Sequence, residues 1–241
     1  MPHRFYVPQE FTTGEHIVFS AEQRKQIRNV LRLGPGDVVS AFDGLGRECS
    51  VRLLSSESGE ILSISTPLTE SSLRITIVQS LPKGDKVEFI IQKCTEIGVS
   101  SFLITEATRS VPRITADKAV TRLRRWQSIA IEAAEQSGRV RVPVVTGIVS
   151  FAEALDQTRA HDTRFIACEK ERSPHVSPEL LCSQESGELA IFIGPEGGYT
   201  NEETTAALEC GVIPISLGPR ILRTETAAIV ASALAILGRR A

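Results

Sequence analysis

The stretch IFIGPEGGYTNEE, residues 191–203, sets three glycines and one proline within five positions, between an apolar run and a helix start. Residues up to Ile193 read as the end of a buried strand, and Thr200 with Glu203 fits the capping box that opens a helix. In an open α/β sheet, ligands sit beyond the carboxyl ends of the strands, which is where this turn falls. Gly194, Gly197 and Gly198 would let a ligand meet the backbone itself, but the same glycines suit a plain tight turn between strand and helix. On this stretch alone both stay open.

Two familiar nucleotide loops do not fit. A P-loop needs a lysine and a hydroxyl directly after its glycines, and neither is present. A dinucleotide fold places GxGxxG after its first strand, whereas the first strand of the alternating region here runs into SLPKGDK. One βα step beyond the glycine turn lies a second unusual loop, in ISLGPRILRTETAAIVASALAIL, residues 215–237. Gly218 and Pro219 break its strand, Arg220 and Arg223 add positive charge, and Thr224, Glu225 and Thr226 open an almost wholly apolar helix. A helix apolar all round must be buried on most sides.

Working outward, strands and helices alternate from LRITIVQS onward: DKVEFIIQKCTEIG, FLITEA, a long helix over 116–137, PVVTGIV, SFAEALDQT, RFIAC, a helix after Pro178, LAIFIG, a helix from Asn201, PISL and the terminal helix. That alternation predicts an α/β domain with a mostly parallel sheet covered on both faces, spanning 73–241. Before the polar connector STPLTESS, short strands such as DVVSAFD and ECSVRLL, with one helix predicted over Ala21–Leu31, suggest a small β-barrel domain over 1–68.

Apolar content of 41% and charged content of 23% are those of a globular protein, and the most apolar run, Ala227–Leu237, is too short to span a bilayer. No secretory pattern opens the sequence, and five cysteines without a CxxC pair suit a reducing compartment, so a cytoplasmic location is expected. The four histidines form no metal-ligand pair, and no metal is expected. A net charge of −2 leaves nucleic-acid binding to local patches.

IGPEGGYTNEE and LGPRILRTETA, with QKCTEIGV (92–99), RW and EAAEQSGR (125–139), HRFYV and VLRLGPGD, together resemble the RsmE family of 16S ribosomal RNA uridine N3-methyltransferases, in the SPOUT superfamily. The resemblance covers nearly the whole chain. It implies a PUA-like RNA-binding barrel over 1–68, then a SPOUT methyltransferase domain whose C-terminal loops form a trefoil knot. It further implies bound S-adenosylmethionine, a homodimer, and the small ribosomal subunit as partner. By the same resemblance, Ile193, Gly194, Pro195, Glu196, Gly197 and Gly198 form one wall of the cofactor pocket. Ser216, Leu217, Gly218, Ile221, Leu222, Arg223, Thr224, Thr226 and Ala227 form the other.

Uracil N3 carries a proton and becomes a nucleophile only when that proton leaves and charge spreads onto the flanking carbonyls. Arg139 and Arg223 are therefore expected to steady the anion, and Glu225 to help remove the proton or orient an arginine. N3 lies on the Watson–Crick edge, so the target must be unpaired or flipped out, and the RNA gripped elsewhere. Arg24, Arg28 and Arg32, spaced i, i+4, i+8 with Lys25 beside them, form one candidate RNA surface; Arg4 with the rings of Phe5 and Tyr6 forms another. Two alternatives stay open: methylation at another RNA position such as a ribose 2′-OH, and a non-catalytic RNA-binding module.

Overall fold

Strands with one face in a core alternate inward and outward residues, and Glu48–Leu53 does so along its whole length. The computed structural model describes residues 3–111, 113–168, 179–184 and 186–238. It divides into two units, the first made of residues up to Glu70 together with Ala134–Val142. This unit holds β1 (Arg4–Tyr6), β2 (His16–Val18), α1 (Ala21–Lys25), β3 (Val38–Phe42), β4 (Glu48–Leu53) and β5 (Ser58–Ser65). Its sheet runs β1-β3-β4-β5-β2 and is antiparallel apart from the β1–β3 pair. Phe5, Phe19, Ile27, Val39, Val51 and Ile61 fill its core.

The helix predicted over Ala21–Leu31 needs correction. After α1 the chain enters a π-helical turn, Gln26–Val30, closed by the Leu31 N–H on the Gln26 carbonyl at 2.9 Å. The wider turn delivers Ile27 to the core, and it lengthens the backbone repeat from four residues to five. Arg24, Arg28 and Arg32 therefore do not share the single helical face that their spacing predicted. Arg32 lies beyond the turn, in the left-handed region at φ 55°.

The second unit, residues 71–133 and 143–241, carries β6 (Leu73–Ser80), α2 (Lys86–Ile97), β7 (Ser101–Glu106), most of α3 (Ala116–Ser137), β8 (Val144–Ser150) and α4 (Phe151–Gln157). It continues with β9 (Thr163–Ala167), α5 (Glu179–Cys182), β10 (Gly187–Ile193), α6 (Asn201–Glu209), β11 (Ile213–Ile215) and α7 (Thr224–Leu237). Pro178, before the predicted helix that α5 fulfils, lies outside the described residues. The six strands are all parallel, in the order β11-β9-β10-β6-β7-β8.

Parity along the strands sorts residues into two cores. Leu189, Ile191 and Ile193 of β10 join Ile75 and Ile77 of β6 under α2, α3 and α7, while Ala190 and Phe192 join Val78 under α4 and α6. This two-sided burial is why the strands read as continuous apolar runs. It also leaves the strand ends as the place where polar loops gather.

Candidate functional site

A cavity of about 940 Å³ opens at the carboxyl ends of β7, β9, β10 and β11. One wall is the turn from Ile193 to Tyr199, and the other is the loop from Leu217 to Arg223 with Thr224 and Ala227 of α7. All of Ile193, Gly194, Pro195, Glu196, Gly197, Gly198, Leu217, Gly218, Ile221, Leu222, Arg223, Thr224 and Ala227 line it. Ser216 and Thr226, expected on the same walls, are not among the lining residues. The Ser216 hydroxyl instead sits 3.3 Å from the Gly218 N–H, bracing the loop from behind.

The two walls form for local reasons. Gly198 N–H closes a turn on the Pro195 carbonyl at 2.9 Å with φ +63°, a conformation that suits glycine. A Cβ at Gly198 would meet no atom within 4 Å, so the missing side chain leaves open space at the cavity wall. Thr200 caps α6, its Oγ1 accepting from the Glu203 N–H while Glu203 Oε2 accepts from the Thr200 N–H at 2.9 Å. The other oxygen of buried Glu203 accepts the Thr108 N–H at 2.7 Å, tying the loop after β7 to the glycine turn.

That tie brings in a residue the sequence reading missed. Arg109 lines the cavity and donates from Nη1 to the Gly197 carbonyl at 2.9 Å and the Tyr199 carbonyl at 3.3 Å. Its stem lies where a Gly197 side chain would go, 3.3 Å from the ideal Cβ. The legible signal was its place just past a strand's carboxyl end. Cys168, Tyr199 and Arg220 line the cavity as well. Burial pushes the Cys168 thiol up to about 11 and the Tyr199 phenol further still, so both are neutral groups near pH 7.

Charge beside the cavity is organised by Lys86, at the start of α2. Its Nζ lies 2.7 Å from Glu196 Oε1 and 3.5 Å from Glu225 Oε2. Burial alone would raise the Glu196 carboxyl, but Lys86 and the Lys83 N–H at 3.2 Å outweigh it and hold it below its ordinary 4.5. The Glu196 hydrogen bond in turn raises the Lys86 ammonium. A carboxyl whose pKa falls on folding stabilises the folded state above its ordinary range, and that stabilisation disappears as pH drops through the depressed value. Thermal unfolding of Glu196→Gln between pH 3 and 6 is therefore expected to decline less steeply below about pH 4.5 than that of the unsubstituted protein. Parallel curves would remove Glu196 as an ion-pair partner.

The other expected site residues scatter. Arg223 lines the cavity, and no carboxylate pairs with it among the described residues. Glu225 does not line it; its carboxylate faces Lys86, so the arginine partner expected for it is replaced by a lysine. Arg139 belongs to the first unit, is 5% exposed, and donates from Nε and Nη2 to Glu70 Oε2 at 3.2 and 2.7 Å. Phe5 is fully buried against Phe19, which withdraws it from base stacking, since a stacking ring needs an open face. Arg4 pairs with Glu48 at 3.0 Å and lies over the Phe42 ring, on which Tyr6 also packs. Arg24 is spent on the Phe19 carbonyl at 3.0 Å and on Glu57, while Lys25, Arg28 and Arg32 remain exposed.

The RNA methyltransferase domain family matches residues 69–236. The ribosomal RNA small subunit methyltransferase E of Bacillus subtilis is 37% identical, over 92% of this chain and 90% of that protein. The Mycobacterium tuberculosis protein of the same name is 31% identical, over 94% and 88%. Among solved structures, a Legionella pneumophila methyltransferase in complex with the cofactor SAM superposes at a TM-score of 0.90, with 28% identity over 99% of this chain and 98% of that one. The Neisseria gonorrhoeae ribosomal RNA small subunit methyltransferase E, bound to S-adenosyl methionine, gives 0.85 with 35% identity and the same coverage. The parallel sheet, the two glycine-proline walls and these likenesses meet in one conclusion: the chain belongs to the ribosomal RNA small subunit methyltransferase E family.

Proposed function

We propose that the protein is an S-adenosylmethionine-dependent methyltransferase that modifies N3 of a uridine in 16S ribosomal RNA. The observation that carries the reading is the cavity between the glycine turn and the 217–223 loop, in a chain whose full-length relatives include two solved with this cofactor. The walls fit that ligand: adenine and ribose are neutral, and backbone groups at Gly194, Gly198, Leu217 and Ile221 can read them without a charged clamp. Bound there, S-adenosylmethionine supplies an activated methyl group.

The protein's own task lies with the acceptor. Arg223 offers guanidinium donors to the carbonyls that flank uracil N3, where negative charge collects as the proton leaves. Arg220, also on the wall, adds positive potential for the same anion. Glu225 acts through Lys86, which holds Glu196 and with it the glycine turn. Arg139, fastened to Glu70, is assigned to its own unit rather than to the reacting atoms.

The first unit is read as the RNA grip, with Lys25, Arg28 and Arg32 as its exposed cations. The C-terminal loops are read as a trefoil knot and the protein as a homodimer. Phe89, Ile221 and Leu237 lie exposed on or beside α2 and α7 and support a second copy. Sedimentation at micromolar concentration that returns a monomer would remove the dimer.

The test is incubation with labelled S-adenosylmethionine and small ribosomal subunits that lack the modification, followed by nucleoside mass spectrometry. N3-methyluridine is expected; label on a ribose, or none, overturns the reading. Charge reversal at Arg28 and Arg32 is expected to weaken RNA binding and flatten its salt dependence by about one unit per lost phosphate contact. Unchanged affinity and slope would leave these cations as plain surface.

A further inference from the structure

Gln79, near the end of β6, has no exposed surface and does not line the cavity, yet it is bonded to one of the cavity's walls and, through that bond, linked to the other. Its Nε2 donates to Thr224 Oγ1 at 2.9 Å and to the Ser80 carbonyl at 2.8 Å. The Thr224 hydroxyl in turn donates to the Gly194 carbonyl at 2.7 Å. The orientation of this chain is forced. A hydroxyl has one proton, which Gly194 takes, so toward Gln79 it can only accept; and an amide oxygen turned toward the Ser80 carbonyl would set two acceptors against each other. Only the amide nitrogen satisfies both neighbours.

Gln79 Oε1 is left buried with no donor. An apolar side chain would fill the same space without that cost, so packing alone does not account for a glutamine here. What the amide adds is a fixed separation. Gly194 stands at the head of the glycine turn and Thr224 at the head of α7, and both line the cavity. The next residue, Ser80, reaches the glycine turn directly, its hydroxyl 3.1 Å from the Tyr199 hydroxyl.

The geometry points to Gln79 as a positioning residue for the cofactor pocket, which sets the gap between the two walls through Thr224 without touching the ligand. This rests on the S-adenosylmethionine reading above. The test is calorimetric titration of S-adenosylmethionine into the full-length protein and four variants. Gln79→Leu and the near-isosteric Thr224→Val are each expected to weaken binding about tenfold, equivalent to about 1.4 kcal/mol. Thr224→Ser, which keeps the hydroxyl, is expected to recover most of that loss. The Gln79→Leu/Thr224→Val double variant is expected to bind no worse than either single one, because both break the same chain.

A residue with a merely structural role would lower the melting temperature but give neither the serine rescue nor the non-additivity in affinity. Variants that bind as tightly as the parent, a serine variant as weak as valine, or losses that multiply to a hundredfold would each overturn the assignment. If the unsubstituted protein takes up no S-adenosylmethionine, the pocket reading itself falls and takes the bridge's role with it. If the parent binds and the variants match it, the bridge alone falls.

Discussion

Arg223→Ala is expected to slow single-turnover methyl transfer by roughly 10²–10³-fold, the size of effect seen when one donor to a developing anion is removed. Arg223 lines the cavity at the residue preceding α7, where the chain leaves the second wall. No carboxylate neutralises it among the described residues, so its charge is available to a bound group. Stabilising a transition-state anion differs from holding the cofactor, whose adenosine is neutral and whose sulfonium is itself positive, so S-adenosylmethionine affinity is expected to stay within a few-fold of the parent. Arg223→Lys is expected to recover only part of the rate, since an ammonium cannot span two positions as a planar guanidinium does. A rate within twofold of the parent would sink the role. An equal loss in rate and in cofactor affinity would make Arg223 a binding residue instead.

The second large effect is one of stability. Gly147 lies inside β8 at φ +100°, followed by Ile148 at +44°, where the pairing with β7 slips between Ile104 and Thr105. A Cβ at Gly147 would run into the Ile104 backbone, 2.8 Å from its nitrogen and closer still to its carbonyl oxygen. Left-handed geometry costs an L-residue about 1–2 kcal/mol, and an overpacked site typically about 1–3 more. Gly147→Ala is therefore expected to cost about 3 kcal/mol, which for this chain length lowers the melting temperature by roughly 10 °C. Differential scanning calorimetry would read it as an earlier transition of the second unit. An unshifted transition would mean that β8 relaxes its register to accommodate the methyl group.

These two positions also mark what a sequence reveals and what it withholds. The alternation from LRITIVQS onward was legible because its inner strands, as in LAIFI of β10, carry apolar residues at both parities, and the long helix spans 116–137 as read. The two glycine-proline loops were legible because they interrupt that alternation at strand ends. Gln79 was not, since its partner Thr224 lies 145 residues away and a buried glutamine looks like any polar residue at a strand terminus. Arg109 escaped for a similar reason, its hydrogen bonds reaching across 88 residues to the glycine turn. The π-helical turn escaped differently: Ile27 needed one more residue per turn to reach its core, a demand set by the surrounding sheet. Phe5 was misjudged because an aromatic beside an arginine reads the same whether its ring faces solvent or Phe19.

The small β-rich unit is assembled from two stretches of polypeptide, and this governs how the protein can be taken apart. Phe42 is sealed by Ala134 and Val140, and Glu70 receives both the Arg139 guanidinium and the Val140 N–H. A fragment ending at residue 70 would therefore bare an aromatic ring and strand a carboxylate. Dissection by a single cut yields a damaged half; a self-standing version calls for splicing 134–142 back on through a designed linker.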